Sequence, residues 1–371
     1  MATGRNSVFG RIRHEWKLAT ALSVELVKTQ RRNMRRAKQD ISKLDELHET
    51  EKKKLLAEYR KDYARHRMKF SEWYYSYRFQ SISEEEKKEY MSQRDYASLW
   101  RKYKLLYPEQ SVITGKKQVF LEKYAQFVRR RWLYVDAATN PEEIQKLLDS
   151  TDVIVKPTNA CSGKGVHKIS RGAGTAQDVL RGRLPALVEE CVQNVEELAA
   201  FHPASLNTVR ITTLTDGKTV RILGACLRTG NNNSVFDNAD AGGYFAEIDA
   251  ETGVIVSDGI TEWGVQAAAH PASGKVFRGT QIPCWDAVLD VVNRATLHLE
   301  NTYLIAWDIA VTPEGIDMIE GNSIPSMEVH QMPLHRGVRR KLYSILDELH
   351  MPYKDAVRLN DIISRLIRVF A

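Results

Sequence analysis

Residues 302–325, TYLIAWDIAVTPEGIDMIEGNSIP, place Asp308, Glu320 and Asn322 inside two otherwise apolar runs. Pro313-Glu314-Gly315 between the runs predicts a hairpin with a three-residue loop, Gly315 taking the left-handed position. On that pivot Val311 faces Asp317, Ala310 faces Met318 and Asp308 faces Glu320. Side chains alternate along a strand, so Asn322 shares the face of Glu320. Two carboxylates and a carboxamide oxygen then converge within apolar strands, where unpaired charge is costly unless a cation neutralises it. Such a donor set suits a hard divalent ion that shares its remaining positions with phosphate oxygens. A polar rim on an ordinary hairpin is the other reading of the same residues.

Further chemistry lies upstream. Val153-Ile154-Val155 reads as a buried strand leading to Lys156-Pro157, then to the small-residue loop Thr158–Gly165 and a second strand, Val166–Ile169. Strand, loop and strand make a flap in which Gly163 and Gly165 let backbone N–H groups approach phosphate, with Ser162 and Lys164 as added donors. A plain tight turn explains the loop equally well, and no GxxxxGK[ST] pattern is present. The run Ala186–Val192 carries Glu189 and Glu190 where its strand stops, an edge that could meet an adenine ring. Glu196 beyond it suits either ribose hydroxyls or a helix N-terminus. Arg210 and Arg228 stand within the apolar strands of a hairpin turned at Asp216-Gly217, and each requires an anionic partner, from the protein or from a ligand. Asn238 opens a loop that ends in Gly242-Gly243.

These residues need elements to hold them. Residues 16–58 lack proline and glycine and read as helical, with a broken leucine stripe and basic clusters. Phe70, Trp73, Tyr74 and Tyr77 mark a buried helix face. Ser83-Glu84-Glu85-Glu86 forms a capping box, a helix spans about 117–131, and Pro141 opens another through Leu148. From residue 150 strands dominate, including a hairpin over 245–256, until helices at 286–300 and in the tail at 336–371.

The chain has 371 residues and a net charge of +7. Residues 1–104 carry 26 Lys+Arg against 15 Asp+Glu, so the basicity belongs to the N-terminal arm. Its charged helical face reads as solvated, with an anionic membrane surface or a partner helix as alternatives. No aromatic-basic recognition module accompanies it, so nucleic acid is not an expected partner. No apolar run approaches a membrane span, and four scattered cysteines without CxxC spacing suggest reduced thiols and a cytoplasmic location.

Together, VIVKPTNACSGKGVHKI, HPASLNTVRITTL, the Asn-to-Gly-Gly loop and WDIAVTPEGIDMIEGNSIP resemble the ATP-grasp superfamily, most closely its sugar-transfer-associated branch, and are similar to α-glutamate ligases. The resemblance covers roughly residues 70–335. It implies an α+β chain with the ATP-grasp fold, two α/β subdomains clasping ATP, preceded by a helical N-terminal region. The expected division is 1–105, basic and helical; 106–345, the catalytic domain, with a first lobe at 106–195 and a second at 196–345; and a C-terminal helix at 346–371. Lys156 and Lys117 would hold ATP, although the family's usual Asp-Lys is Lys116-Lys117 here. Ser162, Gly163, Lys164 and Gly165 would close over the phosphates, Glu189, Glu190 and Val192 would line adenine, and Glu196 would meet ribose. Asp308, Glu320 and Asn322 match ligands of two Mg2+ ions. Arg210 matches an arginine beside the γ-phosphate, and Arg228 and Asn238 would flank the acceptor.

The implied reaction joins a small carboxylate to an amine through an acyl phosphate, with a sugar derivative among the substrates and polysaccharide biosynthesis as the setting. A phosphotransferase on the same fold, and a non-catalytic scaffold docking a membrane or a glycosyltransferase, are the alternatives.

Overall fold

The structure, a computed structural model, describes residues 34–35, 37–38, 41–42, 47–66, 74, 76–158, 165–232, 234, 237, 242–300, 303–323 and 325–353. The phosphate-loop residues Ser162, Gly163 and Lys164, the acceptor residue Asn238, and most of the leucine stripe lie outside the described residues.

Two antiparallel sheets organise the chain. The smaller contains β1 (Trp132–Val135), β2 (Val153–Pro157), β3 (His167–Ile169) and β4 (Ala186–Glu190), in the order β1-β4-β2-β3. Helices α6 (Pro141–Ser150) and α7 (Ala176–Leu180) cover one face of it, burying Ile144, Leu148 and Val179 against Val153 and Val188. Asn140 caps α6 and Pro141 starts it, as their residue types require.

The larger sheet contains β5 (Thr208–Thr215), β6 (Val220–Thr229), β7 (Tyr244–Ile248), β8 (Gly259–Thr261), β9 (Gln266–Ala267), β10 (Leu304–Thr312) and β11 (Gly315–Asn322). Its order is β11-β10-β5-β6-β7-β8-β9, so β10 is interior and β11 is an edge. One face packs Ile211, Leu227, Ile305 and Trp307 against α9 (Trp285–His298) and α5 (Lys117–Lys123). The helix expected over 117–131 ends early, at Lys123; a 3-10 turn, Ala125–Phe127, replaces its second half. That break keeps Phe120, Tyr124 and Phe127 all buried in this core while freeing residues 128–131 to enter β1.

Much of the opposite face is closed by the N-terminal region. Tyr59 of α1 (Glu49–His66), together with Tyr74, Tyr77, Phe79 and Tyr90, packs against Cys226 and Phe245. The expected capping box at Ser83 opens α2 (Glu84–Lys88). A second box at Ser92 opens α3 (Gln93–Leu106), which runs through the boundary expected at residue 105 and is followed by α4 (Pro108–Gly115). After the short α8 (Glu196–Ala199) and the large sheet, α10 (Glu328–Gln331) and α11 (Arg339–Glu348) return across this face, and α11 inserts Leu342, Ile345 and Leu346. Among the described residues, no helix is long and apolar enough to cross a membrane. Cys191, Cys226 and Cys284 are free thiols.

Candidate active site

The hairpin of β10 and β11 turns more tightly than expected. Thr312 pairs with Gly315 across a two-residue turn, and Val311 faces Ile316, Ala310 faces Asp317 and Ile309 faces Met318. The expected partners of Val311 and Ala310 were therefore wrong by one residue. The register then shifts between Asp308 and Ile309, leaving Ile319 unpaired, so that Asp308 faces Glu320 and Ala306 faces Asn322. The additional residue sits in a β-bulge instead of the loop. Because one step of register exchanges the faces of a strand, the bulge is what turns Glu320 and Asn322 to the side of Asp308.

On that face one row crosses five strands: Glu320, Asp308, Arg210, Cys226 and Glu247. Arg210 grips Asp308 with both arms, Nε to Oδ1 at 2.7 Å and Nη2 to Oδ2 at 2.6 Å. Arg228 adds Nη1 to Oδ2 at 2.9 Å and reaches Asp237 at 3.3 Å. Asn322 Nδ2 donates to Glu320 Oε1 at 3.1 Å and to Asp308 Oδ2 at 3.5 Å. Burial acts to raise the Asp308 pKa, but the charges of Arg210 and Arg228 outweigh it and hold the carboxyl at about 2. Burial raises the pKa of Asp237 despite Arg228, and its carboxylate accepts from the Thr208 hydroxyl. At Cys226 burial lifts the thiol to about 12, which makes it inert as a nucleophile at neutral pH.

Beside the row, His330 of α10 lies over Gly224 and bonds Thr212 through Nε2 at 2.8 Å. Its burial, with Arg210 nearby, depresses its pKa to about 3, so the ring is neutral.

A second cluster joins the two sheets. Lys156 Nζ lies 3.0 Å from Glu189 Oε1, and Arg130 Nε donates to Glu189 Oε2 at 2.6 Å. The rest of the Arg130 guanidinium reaches β11: Nη1 to Asp317 Oδ1 at 3.1 Å and to the Met318 carbonyl at 2.9 Å, and Nη2 to the Ile319 carbonyl at 2.9 Å. Arg129 completes the covering of this edge through Ile316 O at 3.1 Å. Burial raises the pKa of Glu189, and Lys156 and Arg130 offset that and hold it at about 2.

Several expected residues thus meet in space: Asp308, Glu320, Asn322, Arg210 and Arg228 form one cluster, and Lys156 is tied to the same strand through Glu189 and Arg130. Glu189 and Glu190 differ from the expected adenine edge. Strand β4 is interior, Glu189 pairs with both Trp132 and Ile154, and its carboxylate serves two cations. Glu190 bonds Arg131 with its backbone and its side chain. Val192 lies past the strand, on the connection that reaches β10 where Val195 N donates to Val311 O at 3.0 Å. Glu196 is the exposed first residue of α8. Gly165 has φ +75° just before β3. Lys117 opens α5, whose Phe120 lies against Gly321 on the face opposite the carboxylates. Arg130 and Asp317 were not singled out from sequence. Three consecutive arginines precede β1, and nothing in their order shows which one turns inward.

Two carboxylates and a carboxamide give an all-oxygen donor set, the amide orientation being interchangeable. Among the described residues there is no group of three or more His, Cys, Asp and Glu side chains suited to a metal. The oxygen donors of Asp308, Glu320 and Asn322 suit a hard cation that also takes phosphate or water oxygens better than one needing nitrogen or sulfur.

In this chain two antiparallel sheets are joined by the Arg130–Glu189 cluster, and the hairpin of the larger one carries the acid-acid-amide face. Residues 172–347 match the family described as sugar-transfer associated ATP-grasp. No curated protein matches the chain. Among solved structures, it is similar to D-alanyl-alanine synthetase A from Vibrio cholerae, at 15% identity and a TM-score of 0.42, over 64% of this chain and 65% of that one. The ATP-grasp ligase PsnB, complexed with a minimal precursor, aligns at 15% identity and a TM-score of 0.40 over 66% and 62% of the two chains. The D-alanine-D-alanine ligase from Coxiella burnetii gives 12% identity and a TM-score of 0.37 over 70% and 63%. The aligned part spans less than two thirds of each of these chains.

Proposed function

We propose that the protein is an ATP-dependent carboxylate–amine ligase that works through an acyl phosphate, with an amino acid or similar acid and amine, and a sugar derivative, as substrates in cell-surface polysaccharide biosynthesis in the cytoplasm. The observation that carries this reading is the Asp308–Glu320–Asn322 face with two buried arginines beside it and Lys156 linked to the same strand. Magnesium held by Asp308, Glu320 and Asn322, as two ions, would screen the phosphate charges. Lys156 holds the nucleotide phosphates from the smaller lobe, and Val192 and Glu196 lie where the chain passes between lobes, at adenine and ribose. Arg210 faces the γ-phosphate, and Arg228, with Asn238, holds the attacking carboxylate. Arginine at both positions lowers the repulsion between two anions that must meet. The amine then displaces phosphate, and Arg210 stabilises the tetrahedral oxyanion. Positioning supplies most of the rate, and no side-chain nucleophile takes part. The division at 1–105, 106–345 and 346–371 belongs to this proposal, with the basic arm contacting a membrane surface or a glycosyltransferase.

A screen of amino acids and nucleotide sugars for ADP release tests it. A ligase releases phosphate only with acid and amine both present, whereas a phosphotransferase leaves a stable phosphorylated product. Mg2+-ATP is expected to raise the melting temperature, as any ligand of the native state does. Glu320→Gln keeps the fold and loses turnover by about three orders of magnitude; near-normal activity would remove the metal assignment.

A further inference from the structure

We propose that Arg130 is a positioning residue that couples nucleotide binding on the smaller sheet to the placement of Glu320 on the larger one. The proposal rests on the nucleotide reading above. Its basis is the bulge. In a regular strand successive carbonyls point to opposite edges, yet Arg130 accepts no such alternation: it donates to Met318 O and Ile319 O, both at 2.9 Å. Those two residues are the last regular one and the unpaired one of β11. Uninterrupted pairing from Thr312–Gly315 would set Asp308 opposite Ile319 and turn Glu320 to the far face. Arg130 therefore holds the irregularity on which the carboxylate pair depends.

The same guanidinium is bound at its other end to Glu189, whose second oxygen holds Lys156. Its side chain is 3% exposed, and those of Glu189 and Asp317 are 4% and 2% exposed, so water cannot substitute for any partner. Two carboxylates and two cations balance in this cluster. A phosphate that draws Lys156 toward itself leaves Glu189 to Arg130 alone, which tightens the hold on the bulge. Only arginine suits the position, because one planar group must span a carboxylate on one sheet and three acceptors on the other. Arg130→Lys retains charge for Glu189 but cannot reach both sheets.

Hydrogen exchange tests the coupling with AMP in EDTA, a probe that lacks the terminal phosphates facing Glu320 and excludes metal. In the unaltered chain AMP is expected to slow exchange in Val153–Pro157 and Ala186–Glu190, and also in Gly315–Asn322, the last by about tenfold. In Arg130→Lys the first two segments stay protected and AMP affinity changes by less than about threefold, while the effect on Gly315–Asn322 vanishes. In Arg130→Met, which also strips Glu189 and Asp317 of a cation, the effect of AMP on Gly315–Asn322 is likewise expected to vanish, whatever the change in AMP affinity. Protection of Gly315–Asn322 that survives in either variant, or its absence from the unaltered chain while the smaller sheet is protected, overturns the coupling. Absence of protection in both sheets of the unaltered chain overturns the nucleotide reading itself, and the coupling with it.

Discussion

Arg210 takes both oxygens of Asp308, whereas Arg228 shares one of them and divides its guanidinium with Asp237. The two arginines are therefore unequal. Removing Arg210 leaves a buried carboxylate with a single off-centre cation; removing Arg228 leaves the two-armed pair intact, and Asp237 keeps its hydrogen bonds from the Thr208 backbone and hydroxyl. Arg210→Met is expected to cost about 3–5 kcal/mol of stability, the range for a broken buried pair, and Arg228→Met distinctly less. Urea unfolding of both variants measures this, and equal losses would contradict the geometry.

The acid limb of stability should report the two depressed carboxyls. Asp308 and Glu189 both sit at about 2, below their ordinary values. A lowered carboxyl contributes stability that is present above its unfolded pKa and lost as pH falls through the folded one. The window thus runs from about pH 4.5 down to about pH 2. Each group contributes on the order of 2–3 kcal/mol at neutral pH. Glu189→Gln should flatten its share of this limb when unfolding free energy is followed against pH.

Glu247 works in the opposite direction. Burial raises its carboxyl to about 8, with Arg336 and Lys341 opposing the rise, and its Oε2 has no hydrogen-bond partner among the described residues. A raised acid contributes stability that is complete below its unfolded pKa and is lost as pH climbs through the folded value. Stability should then decline between about pH 4.5 and pH 8 by up to about 5 kcal/mol from this group. Glu247→Gln is expected to remove that decline and to be the more stable form at pH 8. Equal pH slopes for the two proteins would show that Glu247 is ionised in the fold.

What could be read from the sequence depended on how local the determinants were. The hairpin at 207–228, the caps at Ser83 and Asn140, and the facing of Asp308 with Glu320 follow from alternation and short-range chemistry. The bulge at Ile319 did not, because a long loop and a short loop with a bulge give the same facing and differ only in contacts from Arg130, 189 residues away. Glu189 was misread for a related reason. An acidic strand end looks free until β1 pairs on its other side, and that pairing is a tertiary fact. Cys226 and Phe245 gave no sign that the N-terminal aromatics would cover them, since a helix stripe shows that it is buried and not against what.

Gly224 offers a sharper check on the wall beside the arginines. A Cβ there would lie 2.6 Å from His330 Nδ1 and 2.9 Å from Cγ of the same ring, too close for any side chain. The ring cannot simply retreat, because it is fully buried and bonded to Thr212 through Nε2. Gly224→Ala is therefore expected to destabilise by about 1–3 kcal/mol, the usual cost of overpacking. His330→Ala alone leaves a cavity and the Thr212 hydroxyl without its partner, and should cost a similar amount. Combined, the two changes relieve the clash and partly fill the space, so the double variant should be more stable than the sum of the single losses by at least about 1 kcal/mol. Because the ring is neutral down to about pH 3, that coupling should hold constant from pH 5 to pH 8. Strict additivity in the cycle would place His330 away from Gly224 and open the wall that α10 makes over this face.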